Sequence, residues 1–515
     1  MPSEVLSIFL LKAGVAPEQV ILEARDTTAT PVRVGYIHAT LYTTNSEPHM
    51  PDWAWLFRDA IDLSSLQLQT ASASAVLVVP MANRTFAVTF GHGRHLVDQL
   101  LVEPTFGLRA VLNSISEESI RWIDKKTFEG ISTHTQEQAS KDTSLADFGL
   151  DVERDVVRAV CGTPFDATLG ARLKGKDSLT ATCDMTLDTL PELLQAFFAQ
   201  SELSDYRTKF PWVDNVLEVR DKIRQEELDA ELVQALRAGG NEKIWLTVPE
   251  LIDWGDVREF SYGRRKQGNT FRDLHLRDYL NQTHASELDA AELKRRKIYG
   301  FRASSDAKFG AWSVYECIHA EIETGDGTFL LSGSQWYRLD RNFVATIDRV
   351  VSQIPASTTI SLAYRDGERE AQYNARLAAS IVGASCVDAK LIQYGGGRSR
   401  IEFCDVYHPG YMIHVKRYAG SSVLSHLFAQ GTVSATAFLS DERFRAEVNK
   451  KLPPSSQIST ADRPSAAAYE VAFVIASRSA HALALPFFSR VTLRNAYIQL
   501  SNFGYRMTLT KIGVV

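Results

Sequence analysis

The chain has little of what would mark several large protein classes. Its five cysteines, Cys161, Cys183, Cys317, Cys386 and Cys404, are scattered over 515 residues with no Cys-x-x-Cys. That usage excludes a disulfide framework and a zinc knuckle and suits a reducing compartment, so the expected location is the cytoplasm. No uninterrupted apolar run approaches the roughly 20 residues of a membrane-spanning helix, and no membrane partner is expected. The stretch Met1 to Lys12 has no basic flank before its short apolar run and reads as a first strand, not a signal peptide. A global excess of positive charge is also missing. The net charge is −6, so any contact with nucleic acid must use a local patch. What remains is ordinary globular composition, 45% hydrophobic and 23% charged. At this length one core is too few, and roughly two to four domains are expected.

Patterning along the chain gives an α/β (α+β), multidomain expectation. Residues 1–135 read as mixed α/β, with strands at Val34 to Tyr42, Ser74 to Pro80 and Arg84 to Phe90. The Gly91-His92-Gly93-Arg94-His95 that follows lacks the third glycine of a dinucleotide fingerprint and reads as a plain strand-to-helix turn. Residues 136–255 read as mostly helical, because Val213 to Arg237 spaces its apolar residues near 3.6 and ends at Gly239-Gly240. Residues 256–345 form a basic, β-rich segment, with a hairpin turning at Gly325-Asp326-Gly327. Between Arg258 and Arg302 eleven Lys or Arg face six Asp or Glu, a net of +5. The clusters Arg264-Arg265-Lys266 and Lys294-Arg295-Arg296-Lys297 have Tyr262, Phe271, Tyr299 and Phe301 between them. Cations with interleaved rings suit a nucleic-acid strand, since phosphates take the charge and bases stack. A helix C-terminus and a solvated loop would use the same residues.

Residues 346–515 read as one α/β unit. Helices are expected at Glu368 to Ala379, Val423 to Leu439 and, through Pro486, at Leu485 to Phe503; strands at Tyr469 to Ala476 and Tyr505 to Ile512. Between them lies the densest gathering of chemistry in the chain, Arg400 to Arg417. It reads as two strands around His408-Pro409-Gly410, with Glu402 and Asp405 on the first and His414-Val415-Lys416 on the second. Pairing Tyr407 with Met412 sets Asp405 opposite His414 and puts Asp405, His414 and Lys416 on one face; the alternative register brings Glu402 and Cys404 there. Surface ion pairs of Glu402 and Asp405 with Arg400 and Arg417 are the plain alternative, each worth under about 1 kcal/mol. Ser422 and His426, four apart on a helix, face one way for geometric reasons, and no Gly-x-Ser-x-Gly elbow supports a serine nucleophile.

This hairpin resembles the core of the PD-(D/E)xK nuclease superfamily, in which an Asp starts one strand, a Glu-x-Lys lies on the next and a helix carrying a glutamine follows. The resemblance covers about residues 365–480 and implies a restriction-endonuclease-like mixed sheet flanked by helices. It maps Asp405 to the metal-binding aspartate, His414-Val415-Lys416 to Glu-x-Lys, Gln430 to the helix glutamine and Glu370 to an acid on the preceding helix. The implied activity is cleavage of DNA or RNA with Mg2+ or Mn2+. Asp405 would hold the metal with Glu402 or Glu370, Lys416 would position water, and His414 would ligate or act as a base. His414 departs from the pattern and removes a negative charge from the site.

A second resemblance spans nearly the whole chain. His414-Val415-Lys416-Arg417, then Ser421-Ser422-x-Leu424-Ser425-His426 through Gly431, with Phe90-Gly91-His92-Gly93 and Leu485-Pro486-Phe487-Phe488-Ser489, is similar to a family of uncharacterised, sporadically distributed bacterial proteins. Patchy distribution implies mobile-element, phage-defence or toxin loci, and with them a partner protein from the same locus or a homo-oligomer. The combined expectation is a nuclease-like protein of bacterial defence. Its backbone contacts would be Arg264 to Lys266, Lys294 to Lys297, Arg417 and, at a helix N-terminal region, Ser425 and His426. A non-catalytic nucleic-acid-binding or sensing protein, or a structural subunit of a larger complex, are the alternatives.

Overall fold

The computed structural model describes residues 4–22, 26–45, 47–82, 84–128, 132–143, 148, 150, 155–249, 256–263, 270–302, 308–387, 391–393, 400–418, 421–460 and 462–515. The chain is mixed α/β and divides into two compact units, one of Met1–Thr127 with His134–Asp214, the other of Phe128–Thr133 with Asn215–Val515.

The first unit is built on a ten-stranded sheet. Its strand Glu4–Leu10 lies between Arg84–Gly91 and Leu179–Cys183, antiparallel to both. Helices Phe106–Ser114 and Leu190–Glu202 cover it, so Leu6, Ile8, Val88, Phe106 and Leu194 share one core. Within 136–255, expected to be mostly helical, the described residues up to Cys183 lie mainly in strands of this sheet. Asp155–Pro164 shows why: its burial alternates almost residue by residue, the period of a strand buried on one face.

The second unit opens on an antiparallel five-stranded sheet ordered Val216–Glu218, Gln335–Leu339, Gly327–Ser332, Ile318–Thr324, Ile244–Leu246. The helix Lys222–Arg237 starts where Asp221 accepts the N–H groups of Ile223 and Arg224, and sets Leu228, Leu232 and Leu236 into the core. A separate three-stranded sheet pairs Val257–Ser261, Lys297–Arg302 and Lys308–Ser313.

The last 150 or so residues form a mixed sheet whose elements are numbered here in chain order: α1 (Glu370–Ser380), β1 (Ser385–Cys386), β2 (Val406–His408), β3 (Tyr411–Arg417), α2 (Ser421–Ser440), β4 (Glu470–Ser477), α3 (Phe487–Phe503) and β5 (Arg506–Gly513). The order is β1-β2-β3-β4-β5. β1, β2 and β3 are an antiparallel meander, and β3, β4 and β5 run parallel, as their helical connections require. Side chains alternate between two cores. Ile413 and Val415 pack with Tyr373 and Leu377 of α1; Met412 and Phe473 pack with Leu427 of α2 and Leu493 of α3. Covered on both faces, β4 is buried at all eight positions and reads as a continuous apolar run.

One buried carboxylate ties the two five-stranded sheets of this unit. Glu321, on Ile318–Thr324, accepts the N–H of Phe487 at the start of α3 at 2.6 Å, and bonds Lys243 and Arg490 at 2.7 Å each. Its side chain is fully buried. A helix N-terminus and two cations are what a buried anion needs.

Candidate functional site

The hairpin closes through Pro409-Gly410, with His408 opposite Tyr411 and Tyr407 opposite Met412. Gly410 has φ +96, the left-handed position that follows a turn proline. This is the register that sets Asp405 across from His414. The shared face does not follow. Asp405 stands at a bend just before β2, where its own N–H still donates to the Ile413 carbonyl at 3.0 Å. Its carboxylate stands in for a ladder acceptor, Oδ2 taking the Val415 N–H at 2.7 Å while Oδ1 takes the Asn374 amide of α1 at 3.2 Å. A residue off the strand is not bound by strand alternation.

His414 stays behind in the core. It is 0% exposed, lies 5.7 Å from the Phe473 ring and within packing distance of Gly431 on α2, and neither ring nitrogen has a hydrogen-bond partner. Burial alone pulls its pKa down to about 4, so it is a neutral imidazole. The expectation that His414 ligates or acts as a base therefore meets a side chain walled off from Asp405 and Lys416. The cause is α2, which packs so closely that a Cβ on Gly431 would come within 2.5 Å of Phe473.

Lys416 lies at the end of β3, beyond the last β2 pair, and reaches Glu370 at the N-terminus of α1 at 2.6 Å. Burial pulls its ammonium down, but the hydrogen bond and charge of Glu370, with the charges of Asp405 and Glu402, more than offset this and hold it above the ordinary lysine value. Glu402 in turn accepts from Gln430 of α2 at 2.6 Å. Glu370, Glu402, Asp405, Lys416 and Gln430 therefore gather at one end of one sheet, from a helix on each side and the chain between. Glu370 bonds the Lys416 ammonium, and the charges of Asp405 and Glu402 act on it as well. Among the described residues no three His, Cys, Asp or Glu side chains already stand as a metal-ligating group. Asn374 is the member that sequence reading missed. It is fully buried, and its spacing of four from Glu370 on one helix was the available signal.

The expected nucleic-acid contacts are dispersed. Arg264, Arg265 and Lys266 lie outside the described residues. Lys294 bonds buried Asp229 at 2.7 Å, a carboxylate that also takes Tyr315 Oη at 2.5 Å and Trp336 Nε1 at 2.9 Å. Arg295 pairs with Glu292, Arg296 donates to the Tyr262 carbonyl, and Lys297 stands 3.8 Å from Glu316. Arg417 stands 3.5 Å from Asp366. Ser425 is buried beside Thr492 of α3, and His426 is exposed on α2.

No helix among the described residues is long and apolar enough to cross a membrane. No curated protein and no solved structure matches the chain. A family profile matches residues 6–513, nearly its whole length, and the chain belongs to that family, a family of unknown function (DUF6119).

Proposed function

We propose that the C-terminal sheet is a restriction-endonuclease-like module that cleaves DNA or RNA with a divalent cation, in bacterial defence against phage or mobile elements. The observation that carries this reading is the convergence on Lys416: it bonds Glu370 of α1 at 2.6 Å, and Glu402 and Asp405, from the stretch before β3, also act on its charge. The sheet supports it as well, with an antiparallel meander carrying the acid and the lysine, then a helix with a glutamine, then a parallel strand.

The donor chemistry fits a hard cation, since all three acids offer carboxylate oxygens, which suit Mg2+ or Mn2+. Asp405, Glu402 and Glu370 would hold it, and the ion would supply a hydroxide nucleophile and charge balance at the phosphate. The protein's own part is positional. The Val415 N–H and Asn374 fix Asp405, Gln430 fixes Glu402, and Lys416 offers a permanent positive charge for an attacking water or a developing oxyanion.

The non-catalytic binding reading is favoured by one observation, the buried neutral His414 at the position where the superfamily carries an acid. Incubating the purified chain with plasmid, linear DNA and RNA, each with Mg2+ or Mn2+, separates the two. Cutting that disappears in Asp405→Ala and Lys416→Ala, with melting temperature retained in Lys416→Ala, supports the nuclease. Wild-type inertness on every substrate leaves the binding reading.

A further inference from the structure

A cavity of about 1890 Å³ in the second unit begins one residue beyond Lys416. One wall is the carboxyl ends of the parallel strands, Arg417 and Tyr418 after β3 and Ser477 and Arg478 after β4. Open α/β sheets take ligands at that end. The facing wall comes from the end of the helix Lys222–Arg237 and the strand Ile244–Leu246, and includes Glu242 and Trp245.

Two features of this cleft describe a ligand. At the sheet wall, Arg417 and Arg478 share one carboxylate, Asp366, which stays well below the usual carboxylate range chiefly through its bond to Arg478. Two guanidiniums on one carboxylate leave a net positive charge at that corner. On the other wall, Trp245 stacks on His319 with ring centroids 5.5 Å apart and planes 16° apart, so a further flat ring would extend an existing stack.

We infer that this cleft binds a single strand of nucleic acid, with phosphates on Arg417 and Arg478 and a base against Trp245. The inference rests on the nuclease-like reading for its choice of polymer. Duplex does not fit the same features, because its bases are already stacked and paired and cannot reach an indole face. Elsewhere the cleft carries acids that a polyanion must avoid, but Glu321 and Glu323 are both held by Lys243.

The test is fluorescence anisotropy of the full chain with a labelled oligothymidylate, its RNA counterpart and a matched duplex, without divalent ions. Single strands bind more tightly than duplex. Trp245→Ala weakens single-strand binding about tenfold at every salt concentration, the scale of one lost base stack. Trp245→Phe, which keeps a ring, restores most of it and controls for folding. Arg417→Gln with Arg478→Gln lowers the slope of log affinity against log salt by about 1.4, two phosphate contacts on a single strand. Duplex binding as tightly as single strands, or Trp245→Ala binding like wild type, overturns the inference. Cutting assays fail separately: an inert chain that still shows the Trp245 and arginine effects loses the nuclease and keeps the cleft.

Discussion

Two acid clusters of the second unit look alike on paper and differ in which charge stands at the centre. Around Asp229 one carboxylate meets a phenol, an indole N–H and one ammonium, so each donor has its acceptor. Around Lys416 the ammonium bonds Glu370, and the charges of Asp405 and Glu402 act on it as well. The first arrangement fastens three helical segments and a strand together. Burial pushes the Tyr315 phenol up, and its bond to Asp229 adds to that, so it stays a donor over the whole physiological range. The second arrangement is the one that the proposed function would complete with a cation. A buried acid by itself marks nothing; several acids around one ammonium make a candidate site.

Breaking the Asp229 cluster has the largest expected effect. Asp229→Ala strips three donors of their acceptor and leaves the Lys294 ammonium beside a buried phenol, which costs about 3–5 kcal/mol. Urea unfolding should show it as a lower midpoint with an unchanged slope. A cost under about 1 kcal/mol would mean the cluster is wet and the contrast with Lys416 false.

Next comes His414, the group that sequence reading placed in the Lys416 site. Its folded pKa near 4 lies below the unfolded value near 6.5, so the unfolded chain takes up a proton that the folded chain refuses. Stability is therefore full above about pH 6.5 and falls as pH drops from there toward 4, by up to about 3 kcal/mol. His414→Leu should flatten that fall and leave any nucleic-acid cutting intact. An unchanged pH profile, or lost cutting in a folded variant, would return His414 to the site.

Magnesium sharpens the Lys416 side. At ten times its dissociation constant Mg2+ should stabilise the wild type by about 1.4 kcal/mol and raise its melting temperature, and do nothing for Asp405→Asn. Equal shifts in both proteins would point to binding elsewhere. The smallest effect belongs to Arg295, whose side chain is 79% exposed against Glu292. Arg295→Ala should change stability by less than about 0.5 kcal/mol and, if the cleft at Arg417 is the polymer site, leave binding unchanged as well.

The C-terminal sheet was legible because its signals are local. Pro409 and Gly410 marked the hairpin turn while leaving two registers open, Pro486 opened α3, and a strand buried on both faces announces itself as an apolar run. The candidate site was legible residue by residue, since Glu370, Glu402, Asp405, Lys416 and Gln430 were each nameable in advance. Two things were not. The direction of Asp405 depends on where β2 bends away from β3, and the fate of His414 depends on how closely α2 packs at Gly431, 17 residues on. Both are tertiary facts with no period. The strands of residues 136–183 were missed for a related reason: their partners lie in Ile115–Phe128 and Glu4–Leu10, and polar residues such as those of Ser132–Thr143 carry no apolar rhythm.

Glu321 bears on how the C-terminal sheet can be moved or inherited. Seen from residue 346 onward the sheet resembles a cassette, with its own helices and two cores. Yet the first turn of α3 and Arg490 are completed by a carboxylate some 165 positions upstream. A fragment cut between them would expose a bare helix end and leave the Arg490 guanidinium with half-exposed Asp348 as its remaining acid. The unit of exchange, in the laboratory or between genomes, is then the whole span from about Asn215, and swaps of the last third alone should yield insoluble chains unless a new acid is supplied at that place.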